Sequence, residues 1–360
     1  MQSVLTDLRD AVSTRVLAAL DERTTPFADV GAPLGEFLAP ARSLLGGGKR
    51  LRALLCGAGW TCASSAPLEG PVVLAGSALE LFQGAALVHD DVMDDSLTRR
   101  GMPAAHRRFA GEHAERGWLG SADAYGQAGA IVLGDLLLSL SSMEMDAAQA
   151  AAGPAAGPRA RRIYDAMTAE VALGQYLDIR SQAQPWEDDG EASLARALQV
   201  VRHKSARYSV EHPLVTGAAL AGADDDLLAA LSAVGLPLGE AFQLRDDELG
   251  VFGDPSTTGK PAGDDLREGK RTVLLAMTLQ RADGADRAFV QERVGAPDLG
   301  DDEVARLQDV MRATGAVEAH ERLIAERHAA GLAALEAASL PPRADALLRE
   351  LADALTRRTA

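Results

Sequence analysis

The sequence is poor in cysteine, in aromatic residues and in net positive charge, and each shortage removes a class of function. Its two cysteines, Cys56 and Cys62, stand six apart. That spacing fits neither a Cys-x-x-Cys redox pair nor half of a zinc site, so they read as buried thiols in a reducing compartment. Aromatic residues amount to 4%, with 3 Trp, 4 Tyr and 7 Phe, which leaves little to steer a carbocation by ring faces. Lys and Arg number 36 against 52 Asp and Glu, a net charge of −16, which argues against nucleic acid and anionic membrane surfaces as partners. The opening MQSVLTDLRDAV lacks a basic region followed by an apolar run, so it reads as the start of an amphipathic helix and the protein is expected in the cytoplasm. The longest apolar stretch, Val72 to Val88, is interrupted by Glu80 and Gln83 and is expected to be a buried helix too short for a membrane span.

What remains is a chain that is 47% hydrophobic and 24% charged, ordinary values for a protein that buries a large core. A length of 360 residues alone would allow two domains. Alanine and leucine recur at helical spacing while β-branched residues are sparse, so the pattern is all-α. Helices are expected near 3–20, 36–61, 72–95, 125–150, 160–182, 195–210, 226–250, 270–282 and 302–357, with breaks at glycine and proline clusters. The cluster Gly153 to Pro158 reads as a loop without function.

One stretch stands apart: LVHDDVMDDSLTRRG, Leu87 to Gly101. On a helix Asp90 and Asp94 share a face about 5–6 Å apart, and Asp91 and Asp95 form a second such pair. Bare carboxylates at that spacing repel; Mg²⁺ and a phosphate between them would make them ligands. An acidic run is otherwise a solvated helix face, but this one ends a long apolar helix. A second pair, Asp246 and Asp247, also ends an apolar helix, and two such clusters facing one cavity would suit a three-ion Mg²⁺ site on a diphosphate.

Cations accompany the acids. Arg99 and Arg100 follow the first cluster, Lys260 and Lys270 the second, Lys204 lies between them, and GGGKRLR supplies Lys49, Arg50 and Arg52. Basic residues gathered beside acidic clusters suit an anion held both through metal and directly. The glycine run lacks phosphate-loop spacing and reads as a flexible helix start that turns Lys49 and Arg52 to one face, with Arg50 on the surface.

Taken together, GGKRLR, HDDVMDDSLTRRG, GQYLD, HKSARY, FQLRDDELG and GKPAGDDLREGKRT resemble the trans-isoprenyl diphosphate synthases, the polyprenyl synthetase family, and most of all geranylgeranyl diphosphate synthase. The six motifs run in the family's order from Gly47 to Thr272. The resemblance implies a single all-α helical bundle around a deep central cavity, residues 1–360, with the motif-bearing core at about 36–282 and a helical C-terminal part at 283–360. It implies a homodimer, and a condensation of isopentenyl diphosphate with an allylic diphosphate in which Mg²⁺ assists departure of the allylic diphosphate.

Carried over by position, the resemblance makes Asp90, Asp94 and Asp246 direct Mg²⁺ ligands supported by Asp91 and Asp247. Arg99, Lys204 and Lys260 would hold the allylic diphosphate; Lys49, Arg52, Arg100 and Gln83 would hold isopentenyl diphosphate. Gln243 would lie near the reacting carbons, and Ser205 stands where the family has threonine. Gln175 and Asp178, three apart, would support the site or else form a buried hydrogen-bonded pair. Gly250 replaces the last aspartate of the second motif, which puts the metal contact there on Asp246.

Chain length is read on the helix before Asp90. Ala85 and Ala86 are too small to stop a farnesyl tail, whereas Phe82, eight residues before Asp90 and about 12 Å along the helix, would be a floor that fits geranylgeranyl diphosphate. If Phe82 is ordinary packing instead, longer products follow; a farnesyl product, a terpene cyclase and a regulatory subunit without activity are the other readings. The scarcity of aromatics and the isopentenyl-binding cations disfavour the cyclase, and the intact first motif disfavours the regulatory subunit.

Overall fold

The computed structural model describes residues 2–186, 189–254 and 262–356. The described chain is helical except for one short hairpin, as the leucine and alanine spacing predicts. It divides into two compact units: residues 1–164 with 213–228, and 165–212 with 229–360.

In the first unit, α1 (Gln2–Thr24), α2 (Ala32–Leu45), α3 (Leu51–Ala63) and α4 (Pro71–Met93) surround a shared core. Leu8, Val12, Val16, Ala19 and Leu20 recur at three- and four-residue spacing along α1, forming the stripe that α1 buries. α4 is apolar on nearly every side and packs against both α1 and α3. A helix of that composition is stable only when surrounded, and burying each large side chain contributes about 1.5–3 kcal/mol. After α4 come the hairpin strands β1 (Thr98–Arg99) and β2 (Met102–Pro103), then α5 (Ala105–Glu115) and the long α6 (Ala122–Ala183).

The expected loop at 153–158 is a kink instead. Gly153 alone leaves helical geometry (φ 81°, ψ 176°), and Pro154 begins the second half of α6, where its missing N–H costs nothing at a first turn. α2 and α3 are likewise separate, divided at 46–50, where 36–61 suggested one helix.

In the second unit, α7 (Gly190–Val200) runs into a π-helical stretch, Val201–Glu211, and then α8 (His212–Leu220), whose later residues belong to the first unit. α9 (Asp225–Phe252) carries two acidic residues in its first turn, favourable to the helix dipole. The short α10 (Asp264–Arg267) precedes α11 (Val273–Arg281), which packs on α7 and on α14 (Ala316–Ala337). The helix expected over 302–357 is three: α13 (Asp301–Ala313), α14 and α15 (Pro342–Thr356), broken at Gly315 (φ 70°) and at Ser339 (φ 48°). α12 (Gly284–Arg293) occupies part of a segment in which the pattern suggested no helix.

By length and composition α4, α6 and α9 are long and apolar enough to cross a membrane, with mean hydropathy 1.5, 1.4 and 1.5. The expectation that the Val72–Val88 stretch is too short is therefore corrected; what the structure bears out is its burial, since 67% of that window lies inside the fold. Cys56 and Cys62 are buried free thiols, both pushed up to about 12 by desolvation.

Candidate active site

The first acidic cluster forms where α4 stops. Asp90 and Asp91 lie in its last turn and Asp94 caps it, its backbone N–H donating to the Asp90 carbonyl (2.8 Å). Asp95 then takes a left-handed conformation (φ 53°) and turns outward to Arg107 (2.7 Å). The expected Asp91 and Asp95 pair is therefore not formed, because the helix ends before the second member. Asp95 stands apart from the other three.

A two-residue hairpin follows. Thr98 pairs with Pro103 and Arg99 with Met102, and the intervening Arg100 and Gly101 both have positive φ (53° and 73°), the backbone of a type I′ turn. This turn sends consecutive arginines to different neighbours. Arg99 reaches back to α4, its Nε donating to the Asp91 carboxylate (2.8 Å), with Asp90 3.9 Å from its Nη2. Arg100 donates from Nη1 to the carbonyls of Leu44 (2.8 Å) and Gly47 (2.7 Å).

That second contact shapes the glycine loop. Gly48 has φ 115°, and a Cβ there would lie 3.0 Å from the Arg100 guanidinium, so glycine is required both by conformation and by space. The loop presents Lys49 to solvent and leads into the first turn of α3, which carries the half-buried Arg52. Arg50 corrects the expectation of a surface residue: it is only 3% exposed. It donates to the Leu45 carbonyl and to Ser13 Oγ (3.0 Å), and its Nη1 lies 3.6 Å from Glu80. The sequence signal was Glu80 itself, an acid inside an apolar helix that calls for a buried cation.

Upstream on α4, Gln83 and Ala86 are partly buried, Ala85 is fully buried and Phe82 is 4% exposed. Phe82 meets the Tyr164 ring edge-on, centroids 6.5 Å apart. The Tyr164 hydroxyl is hydrogen-bonded to Ser141 Oγ (2.5 Å), which in turn donates to the Ala78 carbonyl of α4 (2.5 Å).

In the second unit, α9 presents Asp246 and Asp247. Gln243, one turn earlier, donates from Nε2 to Asp247 Oδ1 (2.8 Å). Asp247 is 8% exposed; burial first, then the charges of Asp265 and Asp246, raise its carboxyl well above the usual carboxylate range. The place of the missing aspartate at Gly250 is taken from α10: a Cβ at 250 would collide with the Asp265 carboxylate. Asp265 was not anticipated, and the two signals for it were the glycine itself and the second aspartate of GDDLREGK. Lys270 lies 3.6 Å from Asp265 and 2.7 Å from Glu268.

Lys204, on the π-helical stretch, donates to Asp178 Oδ2 of α6 (2.6 Å), so Asp178 holds a lysine and Gln175 lies one turn before it. Ser205 is the half-buried neighbour of Lys204. Lys260 lies outside the described residues.

The donors gathered in each unit suit Mg²⁺: they are carboxylate oxygens without thiol or imidazole, the hard ligands that ion takes. The room at Gly250 into which Asp265 projects is a cradle lined by acid. Among the described residues no three His, Cys, Asp or Glu are gathered closely enough to hold an ion by themselves. That matches an ion held by one or two carboxylates and completed by water and phosphate oxygens.

The polyprenyl synthetase model matches residues 36–311. The chain belongs to that family, and it is a prenyltransferase. Among solved structures it is similar to geranylgeranyl pyrophosphate synthase from Corynebacterium glutamicum, complexed with isoprenyl diphosphate and magnesium, at 39% identity and a TM-score of 0.91, covering 99% of both chains. Among curated relatives it is 30% identical to geranylgeranyl diphosphate synthase of Mycobacterium tuberculosis, over 94% of this chain and 92% of that one. It is also 29% identical to geranylfarnesyl diphosphate synthase of Aeropyrum pernix, over 86% of this chain and 88% of that one. The all-α fold and the family expected from the motifs are both borne out.

Proposed function

We propose that this prenyltransferase joins isopentenyl diphosphate head to tail to an allylic diphosphate and that its product is geranylgeranyl diphosphate. The observation that carries this reading is the end of α4, where Asp90 and Asp91 stand beside Arg99 and Asp94 caps the helix, while Arg100 braces the loop bearing Lys49. The named relatives, whose products run from geranylgeranyl to geranylfarnesyl, support the elongation and leave the chain length to this chain's own residues.

In the reaction the allylic C–O bond breaks, the diphosphate leaves, the isopentenyl double bond attacks the freed allylic carbon, and a proton is lost from the adduct. Asp90, Asp94 and Asp246 would hold Mg²⁺, three ions in all with the diphosphate, and the bound ions supply neutralisation of the leaving group. Arg99, Lys204 and Lys260 add direct charge to the allylic diphosphate. Lys49, Arg52, Arg100 and Gln83 orient isopentenyl diphosphate, and Gln243 holds Asp247 in place. Ala85 and Ala86 leave room along α4, and Phe82, backed by Tyr164, is the floor. Exposed Ile131, Val132 and Met143 on α6 support a homodimer.

The test is incubation of the full chain with Mg²⁺, labelled isopentenyl diphosphate and, separately, dimethylallyl, geranyl and farnesyl diphosphates, with dephosphorylated products sized by chromatography. A geranylgeraniol peak abolished by EDTA is expected, and Phe82→Ala should lengthen the product. Longer alcohols from the unmodified chain would remove Phe82 as the floor. No elongation from any starter would overturn the reading.

A further inference from the structure

The face of α6 that carries Asp178 also carries Glu170 and Gly174, spaced four residues apart and so stacked turn above turn. All three meet the π-helical stretch Val201–Glu211 or the residue that ends it. Glu170 takes two imidazoles at once: His203 Nδ1 donates to its Oε1 (2.7 Å) and His212 Nε2 to its Oε2 (2.9 Å), with Arg207 Nη1 3.5 Å from Oε1. Gly174 is buried, and a Cβ there would collide with backbone atoms of His203 and Lys204, so only glycine lets the two backbones close. Asp178, one turn further on, accepts from the Lys204 ammonium (2.6 Å).

Winding decides whether such a grip can form. His203 and His212 are nine residues apart, about two and a half turns of an α-helix, which would send them to opposite sides. The wider π winding brings both, with Arg207, to one carboxylate. π-Helical geometry is rare beyond a single turn, so an eleven-residue stretch of it needs support from its surroundings. Glu170 supplies that support. Burial alone would raise its carboxyl, but the hydrogen bonds from His212 and His203 and the charge of Arg207 outweigh burial and hold it below the ordinary carboxylate range, so it stays an acceptor for both rings. An α-helical winding of the same residues would release one histidine and turn Lys204 relative to Asp178.

We propose that Glu170 is a positioning residue for the allylic diphosphate: by gripping His203 and His212 it fixes the winding of 201–211 and so aims the Lys204 ammonium. The proposal rests on the reading of Lys204 as a holder of that diphosphate and adds the group that orients it. Glu170 itself stands two turns from Asp178, about 12 Å along α6, so its effect on the diphosphate passes through the π-helical stretch.

The experiment is calorimetric titration of the full chain with farnesyl diphosphate and Mg²⁺, without isopentenyl diphosphate. It is repeated on Glu170→Ala, Glu170→Gln and Lys204→Ala, and on each Glu170 variant combined with Lys204→Ala. The dissociation constant is expected to rise about tenfold in Lys204→Ala and in Glu170→Ala, and less in Glu170→Gln, whose one carbonyl oxygen replaces a carboxylate that accepts at both oxygens. With Lys204 already removed, the further loss of Glu170 should change it by less than about twofold, because a group that acts through Lys204 has nothing left to aim. Thermal unfolding verifies that each variant is folded, and Glu170→Gln, which keeps the side-chain shape, carries the comparison where Glu170→Ala does not fold. Parent-like affinity in every folded Glu170 variant, or an equal loss with and without Lys204, would overturn the positioning role and leave the reading of Lys204 standing. Parent-like affinity in Lys204→Ala, or no binding by the parent, would overturn that reading and the proposal with it.

Discussion

The two acidic clusters solve the same electrostatic problem differently. At the end of α4, Asp91 is paired with Arg99, a cation whose charge is permanent at any physiological pH. On α9, Asp247 faces Asp265 and Asp246, and among the described residues the groups that ease its charge include Lys270 and the amide of Gln243. Asp91 has a guanidinium beside it, whereas burial and two neighbouring carboxylates press Asp247 towards its protonated form. Two motifs that look alike in sequence therefore differ in what surrounds their buried aspartate.

Four experiments bear on that contrast. Asp90→Ala should lower turnover by about three orders of magnitude with unchanged helical circular dichroism, because several kcal/mol of charge stabilisation is lost without loss of core. Retained activity would remove Asp90 as a ligand and with it the functional half of the comparison. Arg99→Gln leaves Asp91 buried without its cation, and chemical denaturation should show a loss of about 3 kcal/mol. An unchanged denaturation midpoint would mean the first cluster is no better balanced than the second.

Gly250→Ala forces a methyl into the space of the Asp265 carboxylate, so the Mg²⁺ concentration needed for half-maximal activity should rise by about tenfold, roughly 1.4 kcal/mol. A variant indistinguishable from the parent would show that Asp265 does not serve the second cluster.

The smallest effect concerns acid stability of the second unit. His320 is fully buried, and desolvation pushes its imidazole down to about 4 from 6.5. The unfolded chain thus takes up a proton below about 6.5 that the folded chain refuses until near 4, and stability is lost as pH falls across that window. Between neutrality and about pH 5.5 the loss should be on the order of 1 kcal/mol, and His320→Phe should flatten it in thermal melts. Equal acid sensitivity in both proteins would assign the effect elsewhere.

The helices were legible because leucine and alanine repeat at the helical period, and the end of α4 because acids after an apolar helix are conspicuous. Breaks were read less well. Gly153 to Pro158 looked like a loop by composition, yet one glycine absorbs the whole change of direction and Pro154 sits where a helix tolerates it. What stayed hidden were pairings between distant segments. Arg50 looked like a surface residue because Glu80 is thirty positions away, and Asp265 was passed over because the space it fills is defined by an absent side chain fifteen positions earlier. Local periodicity does not encode such partners; only packing brings them together.

The 98–103 hairpin works like a two-way valve set by register. Arg99 and Arg100 are chemically identical, and only the handedness of a two-residue turn decides which one grips the aspartate and which one braces a loop some fifty positions upstream. Inserting a single residue in that turn would preserve every charge in the motif while taking Arg100 off the carbonyls it braces. An enzyme so altered would keep its signature on paper and lose the arrangement that the signature stands for.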